Sequence, residues 1–222
     1  MPIARLPHSR CEQRYLYLIA AWASFATMAV EVLFARIVAS YFGTGIAVWG
    51  SIITVLLVAM AAGYLFGGRL TAKPARGTTL LYGLVFTLAL AMLPLFTIAQ
   101  PMLEAIADQV PDPRYGSLLA AMTLLGSIGF LAGTITPYAT HLLVTTVAEA
   151  GLRVGQLSAA TTLGSAAGTI VPSYYLVLWL EIDTILMGLT AITAASAVAG
   201  AVAFTLRQRG AQQSAAPAAS RP

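Results

Sequence analysis

Six stretches of this chain are apolar for more than twenty residues each: Tyr15 to Ile37, Ala47 to Gly67, Thr79 to Ala99, Gly116 to Tyr138, Leu157 to Leu178 and Thr184 to Leu206. At about 1.5 Å per residue, each is long enough as a helix to cross the roughly 30 Å of a bilayer's hydrocarbon. Backbone amides inside lipid must be hydrogen-bonded within the protein, which leaves helices or a closed barrel, and none of the six shows the alternation a barrel strand needs. The expected fold is all-α: a polytopic membrane bundle of six transmembrane helices. Composition agrees, because 59% of the 222 residues are hydrophobic and 9% are charged, against about a quarter charged in soluble domains.

One membrane domain, 15–206, is expected. A cytoplasmic segment, 1–14, precedes it, and a tail, 207–222, rich in Ala, Gln, Ser and Pro, reads as disordered. The net charge of +4 comes from cations that flank apolar runs, so no nucleic-acid partner is expected. The single Cys11 and the lack of any Cys/His cluster predict no internal disulfide, no metal and no cofactor.

Lys and Arg in short loops stay preferentially on the cytoplasmic side. Arg5, Arg10 and Arg14 precede the first stretch, and Arg69, Lys73 and Arg76 lie between the second and third. Arg153 lies between the fourth and fifth, and Arg207, Arg209 and Arg221 follow the last. The opposite side receives Glu104, Asp108, Asp112, Glu181 and Asp183 with only Arg36 and Arg114. Both termini are therefore expected to be cytoplasmic. Ala21-Trp22-Ala23 also resembles a signal-peptidase site, but hydrophobicity continues to Ile37, well beyond the roughly 7 to 15 residues of a signal core, which favours an uncleaved helix.

Glu31 falls within the first span, about 7.5 Å to the outer side of its midpoint. An acid at that depth is costly in lipid and by default marks a substrate, ion or proton route. The plain alternative is a carboxyl that only hydrogen-bonds neighbouring helices. Ser24 and Thr27, seven and four residues earlier, share its helical face. Arg36 is turned about 140° from Glu31, so it is expected to snorkel outward or meet an acid elsewhere, such as Glu104 to Asp112. Tyr41, Phe42 and Trp49 bracket the turn Gly43-Thr44-Gly45 and read as interfacial anchors or as the rim of a mouth.

The pairs Gly63/Gly67, Gly129/Gly133 and Gly164/Gly168 are small-xxx-small motifs for close helix packing. Pro137 and Pro172, each ending an Ala-Gly-Thr-Ile-x-Pro segment, are expected to kink the fourth and fifth spans. His141 reads as an interfacial side chain, or as a proton carrier if shielded.

Glu31, Arg36, Ala39, Phe42, Gly43 and Trp49, followed by Gly63-x-x-x-Gly67-Gly68-Arg69-Leu70 and later Thr162-Leu163-Gly164-Ser165-x-x-Gly168, form a recognisable set. Between Glu31 and Leu178 the chain resembles the membrane domain of bacterial spermidine synthase-like (fused major facilitator/spermidine synthase) membrane proteins. The resemblance implies a multi-pass protein of the bacterial cytoplasmic (inner) membrane. In full-length relatives an aminopropyltransferase-like domain follows the helices and holds decarboxylated S-adenosylmethionine and polyamine. This sequence departs there: it has no Gly-rich strand-to-helix turn after Leu206, and Gln156 stands where the family pattern leads one to expect a basic residue.

The leading expectation is a non-catalytic membrane module that anchors or serves a separately encoded spermidine synthase-like enzyme. In it, Glu31, Ser24 and Thr27 contact a cationic or polar solute, while Arg36, Phe42 and Trp49 shape the mouth. The alternative is a small-solute or polyamine-like cation transporter in which two copies each supply half of a major-facilitator arrangement. A third reading is a remnant of a split fused gene. The partners expected are the lipid bilayer, a soluble synthase-like enzyme on the cytoplasmic side and a second copy of the chain.

Overall fold

The structure, a computed structural model, describes residues 10–72 and 77–215, and the side chains of 12–72 and 77–207. The topology signals Arg5, Lys73, Arg76 and Arg221 lie outside the described residues. Every element is helical. The first helix, α1 (Arg10–Phe42), ends where Gly43 takes φ 78° and its N–H bonds the Ala39 carbonyl at 3.0 Å. This left-handed stop suits glycine, which has no Cβ to clash. Helix α2 (Ile46–Thr71) returns after a three-residue turn.

Helix α3 (Thr78–Met92) breaks at Leu93, because Pro94 cannot donate a backbone bond, and continues as the single turn α4 (Pro94–Thr97). A short α5 (Ala99–Gln109) follows. Helix α6 (Pro113–Leu124) starts with proline at its first position, and the Asp112 carboxylate accepts the Arg114 N–H at 2.9 Å.

The fourth apolar stretch is not one straight helix: α6 and α7 (Gly126–Leu143) meet at 51° across Leu125. Pro137 lies inside continuous helix, twelve residues past that bend. The fifth stretch is α8 (Val147–Val171), a π-helical turn at Pro172–Leu176 and the short α9 (Val177–Trp179). Pro172 has no N–H to offer the preceding turn, and the ladder widens there. The last helix, α10 (Ile182–Ala215), stays wound past Arg207 into a segment whose composition predicts disorder. The rest of that segment, 216–222, lies outside the described residues.

Among the described residues, four helical segments are long and apolar enough to cross a membrane: Glu12–Phe42, Ile46–Thr71, Thr78–Thr97 and Ile182–Arg207. The bent α6–α7 pair makes a fifth when its two halves are counted as one broken span. Helix α8 falls short because Ala, Gly, Ser and Thr dominate it. Leu57, Val58, Leu65, Phe66, Leu163 and Leu178 are exposed on the outside of the bundle, a surface suited to hydrocarbon and not to water.

Three pairings organise the bundle: α1 with α8, α2 with α7, and α3 with α10. Contacts of α1 with α7 and α10, and of α3 with α7, complete it. The result is a layer in the order α8, α1, α7, α2, backed by α10 and α3. Leu16, Leu33 and Phe34 of α1 fill the space between the layers with Leu81, Leu88, Met92, Leu125 and Ile128, all fully buried.

Glycines set the two closest pairings. A Cβ at Gly63 would overlap the Phe130 carbonyl oxygen, and one at Gly67 would lie 2.6 Å from that of Thr134. In return, a Cβ at Gly133 would overlap the Met60 carbonyl, and one at Gly129 would lie 3.0 Å from Ala59 Cβ. Thr134 adds a polar tie, donating to Phe130 O at 2.8 Å and reaching Gly63 O at 3.3 Å. On the other side, Gly164 and Gly168 sit against the carbonyls of Ala21 and Phe25. Residue numbers rise together along both contacts, so α2 runs parallel to α7 and α8 parallel to α1. Both Gly-xxx-Gly pairs begin seventeen residues after the first residue of their helices.

Candidate functional site

Tight packing of α8 on the Ala21–Phe25 stripe fixes what remains open on α1. Ser24, Met28 and Glu31 lie beside that stripe and stay half-buried. Glu31 has no hydrogen-bond or ion-pair partner among the described residues. Thr27 is on the buried flank of the same face, 3% exposed, with its hydroxyl donated to Ala23 O at 2.8 Å. The polar stripe therefore divides: Ser24 and Glu31 are accessible, whereas the hydroxyl of Thr27 is already used by its own helix.

Neighbouring polar side chains of α1 face the opposite flank. Trp22 Nε1 donates to Thr193 Oγ1 at 3.0 Å, and the Tyr15 hydroxyl bonds the Ser196 carbonyl. These contacts hold α10 behind α1 and consume donors that would otherwise be costly in an apolar interior. At the Arg10 end, Tyr17 OH donates to Gln156 Oε1 at 3.1 Å, and Arg153 pairs with Glu149 at 3.5 Å.

Arg36 belongs to a separate region at the Phe42 end. A cavity of about 280 Å³ is lined by Arg36, Ala39, Gly43, Thr44, Val48, Trp49, Ser173 and Val177, among others. Four members of the resemblance block, Arg36, Ala39, Gly43 and Trp49, thus share one space, walled by the turn and by the π-helical segment. Phe42 is not at this mouth. It is 6% exposed, and its ring lies against Gly116, so it locks α1 onto α6.

Arg36 also lines a second cavity, of about 420 Å³, with Ser40, Tyr41, Gln100, Glu181 and Asp183. The acids that approach it come from the start of α10, whereas the sequence points to Glu104 to Asp112. The position of a loop around the bundle was not readable from charge. Glu31 lines neither cavity. The six candidate residues therefore fall into three places: Glu31 and Ser24 on the open face of α1, Arg36 and Trp49 at the end cavity, and Thr27 and Phe42 in the packed interior.

His141 lies in the last turn of α7, with its ring 6.4 Å from that of Tyr138, whose hydroxyl donates to Gly77 O at 3.2 Å. Among the described residues, no group of three or more His, Cys, Asp or Glu side chains is placed to hold a metal ion. Comparison of the chain with protein-family models, with curated proteins and with solved structures finds no match.

Proposed function

We propose that this chain is a solute-handling membrane module: six crossings with both termini cytoplasmic, forming half of a transporter for a cationic or polar solute, with a second copy supplying the other half. The observation that carries this reading is the pairing pattern. Exchanging α1, α2 and α3 with α7, α8 and α10 turns the α2–α7 contact into the α8–α1 contact and leaves α3–α10 unchanged. Gly63/Gly67 of α2 against α7 and Gly164/Gly168 of α8 against α1 obey the same exchange. Two three-helix repeats of opposite direction are the plan of six-helix transporter halves, whose solutes bind near the midplane where the repeats meet. Glu31 is on α1, which touches both α7 and α8, and its carboxyl is half-buried and unpaired.

The same contacts support the count of six crossings. The segment from α8 through the π-helical turn to α9 runs alongside α1 from the Tyr17–Gln156 bond to the cavity shared by Arg36 and Val177. A helix parallel to a membrane-spanning α1 over that length crosses with it. The cations Arg14, Arg69, Arg153 and Arg207 then gather at one end, which is the cytoplasmic one by the positive-inside rule.

The test is uptake of labelled spermidine into proteoliposomes containing the purified chain. The expected result is uptake that Glu31→Gln abolishes while the protein keeps its thermal stability. Uptake indifferent to Glu31, or none above empty liposomes, refutes transport.

Service to a cytoplasmic spermidine synthase-like enzyme is the second reading. It is favoured by the convergence of Arg36, Gly43 and Trp49 on one cavity, since these residues carry the resemblance. Recovery of such an enzyme with the gently solubilised chain supports it, and a pull-down without one counts against it.

A further inference from the structure

The second cavity at the Phe42 end holds charges of both signs that do not pair with each other. Arg36, Glu181 and Asp183 line about 420 Å³ of shared space, yet no ion pair joins Arg36 to either acid among the described residues. We propose that this groove binds a phosphoethanolamine group, with its phosphate on Arg36 and its ammonium between Glu181 and Asp183.

The charges select the ligand class. A simple anion on the guanidinium would face two carboxylates, and a simple cation on the carboxylates would face the guanidinium. A zwitterion with separated charges satisfies both. Guanidinium binds phosphate through paired donors, a geometry that suits this anion. Neutral groups complete the polar rim. The Ser40 hydroxyl donates to Ile37 O at 2.7 Å, which leaves its oxygen lone pairs for an ammonium, and the Gln100 amide supplies a further donor or acceptor.

Position fits the same chemistry. The charged residues are exposed, whereas Leu95 and Ala99 on the cavity wall are buried and Ile37 and Ile182 half-buried. A polar rim over an apolar wall, at the end of membrane-length helices, matches the boundary where a headgroup meets its acyl chains. Phosphoethanolamine reaches this place either as the headgroup of phosphatidylethanolamine or as a free solute. The groove does not include Glu31, so this proposal and the transport reading fail independently.

The experiment uses the full chain in nanodiscs of mixed phosphatidylethanolamine and phosphatidylglycerol, with retained lipid identified by native mass spectrometry. The expected result is a preference for phosphatidylethanolamine of about tenfold, the scale of one charge-assisted contact. Arg36→Gln and the double variant Glu181→Gln/Asp183→Asn should each bring it close to parity, and Arg36→Lys should retain part of it. Thermal unfolding of each variant separates lost binding from lost fold, and the acid double variant serves if Arg36→Gln is unstable. Calorimetric titration with free phosphoethanolamine identifies the source: heat that saturates indicates a soluble ligand, and lipid retention without it indicates the bilayer. Equal retention of both lipids by the unaltered chain together with no heat from phosphoethanolamine overturns the proposal, as does binding that survives both charge-removing variants. Loss in Arg36→Gln with none in the acid double variant also overturns it, because that is a plain anion site.

Discussion

Gly133 of α7 rests directly on the Met60 carbonyl of α2, with no room between them for a single added carbon. The partner atom is backbone, so it cannot swing away as the tip of a flexible side chain would. Gly133→Ala should therefore destabilise the bundle by about 1–3 kcal/mol, the usual range for overpacking a tight contact. Gly68→Ala, one residue past the same interface with nothing within 4 Å of its added carbon, should leave stability unchanged. Thermal unfolding in detergent measures both.

Gly43 carries the chain from α1 to α2 in a left-handed conformation, φ 78°, with open space around it. Gly43→Ala should cost roughly 1 kcal/mol through backbone strain alone. Gly45→Ala, also in open space but with φ −62°, should be neutral. The difference isolates conformation from crowding, and because Gly43 lines the Arg36–Trp49 cavity, indole fluorescence should shift only in the first variant.

The proposed crossing by α8 predicts that the two ends of that segment lie on opposite faces of the membrane. In a Cys11→Ser background, Glu181→Cys should react with an impermeant maleimide added to intact cells, and Gly151→Cys should react only after lysis. Equal reactivity at both positions would show that α8 stays on one side.

Glu31→Gln and Thr27→Val make a paired test of the polar face of α1. The hydroxyl of Thr27 is spent on its own helix, so its removal should change uptake less than twofold and stability by about 1 kcal/mol or less. Removal of the Glu31 charge should abolish uptake of the labelled cation. Loss of transport in both variants would instead indicate a general sensitivity of α1 to substitution.

Much of the architecture was legible because it rests on local properties. Long apolar runs mark α1, α2, α3–α4 and α10, and the i, i+4 glycines mark surfaces where backbones approach. What those surfaces touch was not legible, since a spacing motif names no partner. Gly116 and Gly200 have no glycine four positions away to mark them, yet they lie against the rings of Phe42 and Tyr82. The bend at Leu125 carries no proline at all, while Pro137, the conspicuous breaker, sits in unbroken helix. At the site, the depth of Glu31 followed from counting residues. The facing of Arg36 toward Glu181 and Asp183 depends on how α10 is placed around α1, which no local pattern encodes.

Helix α8 owes its place to α1. Its Ala, Gly, Ser and Thr give the translocation machinery little reason to release it sideways into lipid on its own account. The flat seat formed by Gly164 and Gly168 on an already inserted neighbour supplies what its composition lacks. In the six-crossing topology, biogenesis therefore has an order: the first segment must be in the bilayer before the fifth can enter. A lesion near Ala21 or Phe25 would first be felt more than a hundred residues downstream, as a nascent segment left stranded outside the bilayer.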